Sequence, residues 1–277
     1  MGIRTSSTLA ASAPRKPGDR LLTRLIPALA VSFFLKLLIL ALDLWPKHPG
    51  ISFLLFTCPD IWILSGILIP NSTWLAPIAR RFVTETKEVW LTIDDGPEPA
   101  TTSRMLDLLD KHSAKATFFV IGRQVARYPE LAYGISKRGH SLGNHTHTHP
   151  VISFWLAGRE RTACEIDDCQ TALNLAGVGR VAFFRPPAGI RTFFIPSVLA
   201  ERNSHLVGWT GRGREQLAAT TEKPLKRLKR HVKPGSILLL HESGKHADHR
   251  VALLSGLLDY LAANGYRCVI PSHDQLR

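Results

Sequence analysis

Downstream of residue 88 the chain alternates between two kinds of apolar pattern. Short apolar runs recur at EVWLTI (88–93), ATFFVI (116–121), HSLGN (140–144), VAFFRP (181–186), HLVGWT (205–210), SILLLH (236–241) and YRCVIP (266–271). Runs of this length, rich in branched and aromatic residues, predict β-strands. Between them apolar residues return every three or four positions, as in TTSRMLDLLDKH (101–112) and VALLSGLLDYLAANG (251–265), the latter stopped by Gly265. That spacing predicts helices with one apolar face. WLAGRERTACEIDDCQTALNLAG (155–177) predicts a longer helix with a charged outer face. Seven strand–helix units predict an α/β architecture, a parallel sheet with helices outside. About 190 residues in seven units fit a closed or nearly closed barrel better than an open sheet.

Upstream the pattern is different. Residues 25–45 carry only Lys36 and Asp43 as charges, and residues 51–70 only Asp60. Twenty residues of helix extend about 30 Å, roughly the thickness of a bilayer's hydrocarbon core. Pro59-Asp60 sits inside the second stretch and is expected to kink or break it. Lys36 and Asp43, two helical turns apart, can share a face. Three arrangements follow: two spans forming a hairpin, one span plus an interfacial segment, or two buried helices of a soluble protein. The long apolar region, with no small-x-small site close behind it, argues against a cleaved signal peptide. The chain thus divides into a basic tail (1–24), two hydrophobic, membrane-inserted segments (25–70), a linker (71–87) and an α/β domain (88–277).

Charge refines this picture. The chain carries a formal net charge of +13. Arg4, Arg15, Lys16, Arg20 and Arg24 precede the first hydrophobic stretch, only Lys47 and His48 lie between the two, and Arg80, Arg81 and Lys87 follow the second. With two spans, the excess of basic residues at both outer ends places both ends on the cytoplasmic side of a membrane; with one span the α/β domain lies outside. A second basic run, Lys223, Lys226, Arg227, Lys229, Arg230 and Lys233, reads either as a solvated helix face or as a contact for anionic lipid headgroups. It has no interleaved aromatics, so nucleic acid is not an expected partner. Four scattered cysteines show no metal-knuckle spacing and do not fix the compartment.

Barrel enzymes assemble their sites where strands end. Asp94 and Asp95 follow the first strand, and the third runs into GNHTHTHP (143–150). The fourth ends in Arg185-Pro186-Pro187-Ala188-Gly189, the fifth reaches Trp209 and the sixth ends at His241. On a strand, His145, His147 and His149 would share a face; on a helical turn only His145 and His149 would. Either arrangement can hold a metal.

In this order the residues resemble the polysaccharide deacetylase family, the NodB-like carbohydrate esterases. The family's motifs read here as Thr92-Ile93-Asp94-Asp95-Gly96, His145 to His149, Arg185 to Gly189 and Leu239-Leu240-His241. The resemblance covers about residues 88–272. It implies a distorted (β/α)7 barrel, a divalent metal and hydrolysis of an N-acetyl or N-formyl group on an amino sugar.

It also implies roles. Asp95, His145 and His149 would be the metal ligands, on a helical turn that leaves His147 outside the set. Two imidazoles and one carboxylate with open positions suit Zn2+ first, with Co2+, Ni2+ or Mn2+ as alternatives. Asp94 would be the general base acting on the attacking water, Arg185 the group that orients it, and His241 the general acid. Ala188 stands where the family usually carries tyrosine; its backbone N–H would be the oxyanion donor, since Pro187 has none. Leu239 would lie under the acyl methyl and Trp209 would wall the pocket. The acidic residue that tunes the family's catalytic histidine is missing from Trp209-Thr210-Gly211-Arg212-Gly213-Arg214, where Arg212 and Arg214 would attract a phosphate instead.

The implied partners are an acylated amino sugar, as polysaccharide or lipid-linked, and membrane lipids. The implied location is a membrane, the bacterial inner membrane. Alternatives are a carbohydrate O-acetyl esterase and a non-catalytic, membrane-anchored carbohydrate-binding protein.

Overall fold

The computed structural model describes residues 17–277 except 219 and 245, with side chains from Arg24 onward. The basic tail residues Arg4, Arg15 and Lys16 lie outside the described residues.

Two long helices come first. α1 (Pro17–Ala41) and α3 (Pro49–Leu68) are joined by a single turn, α2 (Leu44–Lys47). They pack against each other as an antiparallel hairpin. Arg24, near the start of α1, donates to the carbonyls of Thr73 and Trp74 just beyond α3. Farther along, Lys36 Nζ lies 2.5 Å from Asp60 Oδ2, and Ser32 donates to Asp60 Oδ1 at 2.7 Å. Lys36 therefore pairs across the hairpin rather than with Asp43. Pro59 does not break its helix: α3 runs through it. The hairpin's outer surface is apolar, with Phe33, Leu40 and Ile61 each more than 60% exposed.

The rest is β1 (Glu88–Gly96), α4 (Thr102–Lys111), β2 (Ala116–Val120), α5 (Gly122–Arg127), α6 (Pro129–Lys137), β3 (Ser141–Asn144), α7 (Arg159–Leu175), β4 (Phe183–Phe184), α8 (Ile195–Glu201), β5 (His205–Leu206), β6 (Gly211–Arg212), α9 (Glu222–Arg230), β7 (Ser236–His241), α10 (Ala247–Ala263) and β8 (Arg267–Cys268). The strands pair in parallel in the order β5-β4-β3-β2-β1-β7-β6, with β8 joining the start of β1. The two edges of this sheet, β5 and β6, are consecutive pieces of one run of chain. Val207 donates to Phe184 on one side and Thr210 to Ile237 on the other, so that run curls the sheet into a distorted barrel. This is why the apolar run 205–210 is not a single strand: its ladder changes partner midway. Residues 79–82 enter the same seam, with Ala79 bridging Val207, Arg81 bridging Ser236 and Phe82 bridging Leu276.

Period-two alternation sorts the strand residues into two shells. Val89, Leu91 and Ile93 of β1 join Leu238 and Leu240 of β7 in the core beneath the helices, with Leu254, Leu257 and Leu261 of α10. Trp90, Ile237 and Leu239 point the other way, into a barrel core shared with Phe119, Phe183, Val207 and Trp209. Asp94 on β1 and His241 on β7 have the inward parity, and they pair side by side in the ladder. The basic run 223–233 is mostly a solvated face: α9 buries Pro224 and Leu228 and exposes Lys223, Lys226, Arg227 and Arg230.

Candidate metal and catalytic centre

Strand parity alone would turn Asp95 outward, away from Asp94. A β-bulge prevents this: the β1–β2 register shifts between Asp94 and Gly96, and Asp95 takes a left-handed φ of 76°. One extra residue in a strand re-aims a side chain, and here both carboxylates reach the same mouth. Asp95 Oδ1 lies 3.4 Å from His145 Nε2 and 3.2 Å from His149 Nε2. Burial would raise the Asp95 pKa, but hydrogen bonds from His145 and His149 hold its carboxyl well below the usual carboxylate range.

The histidines converge, though not on a helical turn. Residues 145–149 form an irregular loop with left-handed φ at Thr146 (69°) and His149 (57°). Side-chain acceptors hold it in place. Asn144 Oδ1 accepts from the Thr146 N–H at 2.9 Å, and Glu165 of α7 accepts from the N–H groups of His147 and Thr148 at 2.9 and 2.8 Å and from the Thr148 hydroxyl. Glu165 is buried and is an anchor that the sequence did not signal. His147 stays outside the cluster.

Arg185 is fully buried. Its Nη1 donates to Asp94 Oδ1 at 2.6 Å and to Thr92 Oγ1 at 2.9 Å. Nη2 and Nε donate to the carbonyls of Gly208 and Val207, and the guanidinium lies 4.2 Å from the Phe119 ring centroid. Asp94 is thus clamped in one orientation by a bonded cation.

Opposite stands His241. The acid absent from residues 209–214 is Glu215, one residue beyond. Its Oε1 is 2.9 Å from His241 Nδ1 and accepts from the His241 N–H at 2.8 Å. Arg214, with φ of 57°, turns the chain so that Glu215 points back to the strand end. Burial opposes charge on both groups, yet their hydrogen bond and mutual attraction draw Glu215 down and His241 up. In sequence the only signal was that Glu215 and Glu222 are the acidic residues between Trp209 and His241.

The remaining predicted residues gather at this mouth. Ala188 is exposed, with φ of 54°, between the buried Pro187 and Gly189. Trp209 and Leu239 are buried in the barrel core below. Arg212 lies 5.4 Å from the Trp209 ring centroid, while Arg214 is exposed. A cavity of about 510 Å³ opens beside Asp95, lined by Glu215, Leu217, Thr221, His246 and His249.

Known proteins share this frame. A sequence profile described as "Polysaccharide deacetylase" matches residues 83–204. A chitooligosaccharide deacetylase of Azorhizobium caulinodans is 34% identical over 59% of this chain and 78% of its own. A peptidoglycan-N-acetylglucosamine deacetylase of Bacillus cereus is 33% identical over 72% of this chain and 91% of its own. A solved family 4 carbohydrate esterase from Streptomyces lividans, in complex with acetate, superposes with a TM-score of 0.62 at 27% identity, covering 69% and 96% of the two chains. The chain belongs to the polysaccharide deacetylase family, and its barrel is that of a carbohydrate deacetylase.

The donor set fits the divalent ion that this family implies. One ligand atom each from Asp95, His145 and His149 lie within 4.8 Å of one another. The Nδ1 of His145 is 2.6 Å from the Arg185 carbonyl. A carbonyl only accepts, so Nδ1 carries a proton, and Nε2, on the side of Asp95 and His149, is the ring atom left to ligate an ion. A second hydrogen bond of this kind fixes the tautomer a ligating histidine needs.

Proposed function

We propose that this protein is a metal-dependent N-deacetylase that removes an N-acetyl or N-formyl group from a lipid-linked amino sugar at the membrane surface. One observation carries the chemistry: an Asp95–His145–His149 cluster flanked by a clamped carboxylate, Asp94–Arg185, and a carboxylate-bound imidazole, Glu215–His241. Held by Asp95, His145 and His149, a divalent ion, Zn2+ or alternatively Co2+, Ni2+ or Mn2+, would polarise the acyl carbonyl and acidify the attacking water.

The chain's own groups do the rest. Asp94, fixed by Arg185, takes the proton of the attacking water. The Ala188 N–H is the oxyanion donor. Leu239 lies under the acyl methyl, and Trp209 backs it. His241 gives its proton to the leaving amine, and Glu215 supports the protonated ring so that the proton is available at neutral pH.

The hairpin supports the membrane location. Its two apolar windows, Arg24–Ala41 and Pro49–Leu68, are 17% and 22% buried, so most of their surface is apolar and uncovered. Both ends of an antiparallel hairpin lie on one side of a bilayer. Arg24, Arg80 and Arg81 flank the outer ends and Lys47 the turn, which favours a cytoplasmic barrel. A barrel on that face meets sugars while they are still attached to lipid carriers.

The test uses the full chain in phosphatidylcholine nanodiscs. Asp94→Asn is expected to retain zinc content and to lower kcat about 10³-fold on an undecaprenyl-linked N-acetylamino sugar. Equal turnover by the variant, or no turnover by the parent with any of the four metals, refutes the reading. A reporter fused after Arg277 checks the side of the membrane.

A further inference from the structure

A second cavity, of about 720 Å³, lies between the foot of the hairpin and the barrel seam. Four arginines line it: Arg24 from α1, Arg80 and Arg81 from the segment that enters the seam, and Arg277. No acidic side chain lines it, and none of the four arginines makes an ion pair with a carboxylate among the described residues. Arg24, Arg81 and Arg277 each donate to main-chain carbonyls, which positions their guanidinium groups. The rest of the wall is largely apolar, with Leu75 and Ile78.

Position gives this charge a meaning. Arg24 begins one apolar window and Leu68 ends the other, so in the proposed membrane hairpin residues 71–81 would lie where a bilayer's hydrocarbon gives way to headgroups. Four exposed arginines lining one cavity beside apolar walls match a group that is anionic at one end and greasy at the other. Guanidinium is the side chain best shaped to bind phosphate through two parallel hydrogen bonds.

The cavity also touches the catalytic mouth. Trp209 lines the cavity, and its ring lies 5.8 Å from the Arg185 guanidinium that clamps Asp94. The same ring packs on Gly189, where an added Cβ would come within 2.6 Å of it.

We infer that this cavity binds the phosphate of a lipid: the phosphate that joins the carrier to the sugar being deacylated. The inference rests on the lipid-linked reading above and adds the residues that would read the lipid. It assigns Arg80 and Arg81 to substrate selection rather than to the bulk of the protein's positive charge.

The experiment compares the parent, Arg80→Gln, Arg81→Gln, the double variant and the Arg80→Lys/Arg81→Lys control in phosphatidylcholine nanodiscs. One arm measures kcat and KM for undecaprenyl-diphospho-N-acetylglucosamine and for soluble tetra-N-acetylchitotetraose. The expected result is at least a tenfold fall in the ratio of kcat/KM values, lipid-linked over soluble, carried by KM and only partly restored by lysine, which keeps the charge but not the paired donors. The other arm titrates phosphatidylglycerol into the nanodiscs and follows its binding by native mass spectrometry.

If binding of phosphatidylglycerol depends on the two arginines while the kinetic ratio does not, the phosphate belongs to a bulk lipid and the assignment to substrate is overturned. If neither arm responds, the cavity is not a lipid-phosphate site at all. A parent that never turns over the lipid-linked sugar defeats the broader reading instead, and the binding arm still decides the cavity.

Discussion

The hairpin and the barrel each contain a cation–carboxylate pair, and the two pairs are built differently. In the barrel, Arg185 meets Asp94 with no solvent exposure and spends its remaining donors on Thr92 and two main-chain carbonyls. In the hairpin, Lys36 meets Asp60 with only Ser32 to assist, and both side chains are partly uncovered, at 28% and 44%. A buried charge is costly unless paired and fully bonded. The Asp94–Arg185 pair meets that demand, and on the proposed mechanism this holds Asp94 in one orientation for chemistry. On the proposed membrane reading, the Lys36–Asp60 pair answers a different one: it would cancel the charges that oppose insertion of two apolar helices. A cation–carboxylate pair would thus serve geometry in one region and solubility in lipid in the other.

Breaking the barrel pair should have the largest effect. Arg185→Met leaves Asp94 buried beside unsatisfied carbonyls. A loss of about 3–5 kcal/mol is expected, read as a fall in Tm, together with loss of turnover.

Acid should separate the regions next. His140 is buried, and desolvation, assisted by Lys115, lowers its pKa to about 4. A depressed histidine contributes stability that is complete above its unfolded value near 6.5 and disappears as pH falls through 4. Acidification across that window should cost the barrel up to about 3 kcal/mol. Circular dichroism and tryptophan fluorescence should show the barrel melting before the hairpin, and His140→Leu should flatten the dependence.

Glu215→Gln is a gentler cut. It removes the charge that draws His241 upward. In the proposed mechanism His241 acts in its protonated form, so activity is expected to fall as pH rises through its pKa. The variant's basic limb in kcat/KM should therefore move to lower pH, with kcat down about 10–100-fold, or about 1.4–2.8 kcal/mol. An unmoved limb would mean that Glu215 only supports the loop. The hairpin pair should matter least: Asp60→Leu strands Lys36 and is expected to cost about 1 kcal/mol in nanodiscs, most of it recovered in Lys36→Leu/Asp60→Leu.

Much of this was legible beforehand, for identifiable reasons. Trp90, Thr92 and Asp94, like Ile237, Leu239 and His241, obey a two-residue period, so strand parity alone sends both catalytic candidates inward. Asp95 breaks that period through a bulge, and the histidine loop through two left-handed residues. Neither device has a fixed sequence signature, and the helical turn expected for His145–His149 was the simpler solution to the same spacing. Glu165 and Glu215 act from α7 and from a turn, far from the strands they serve, and only the folded path brings them in. Lys36–Asp60 depends on how two helices slide past each other, which α2 sets and hydrophobicity does not encode.

The hairpin's foot ends against the active-site wall. Ile67 and Leu75 are buried there beside Phe193, Arg191 donates to the carbonyl of Gly66, and Pro70 presses on Gly189 next to Ala188. A barrel trimmed of residues 17–70 for easier purification would lose the surface on which the Ala188 loop is seated. Such a fragment should remain folded yet work poorly, and detergent that loosens the hairpin should mimic the cut. The bilayer would then be a working part of the catalyst, bracing from outside the loop that meets the acyl group.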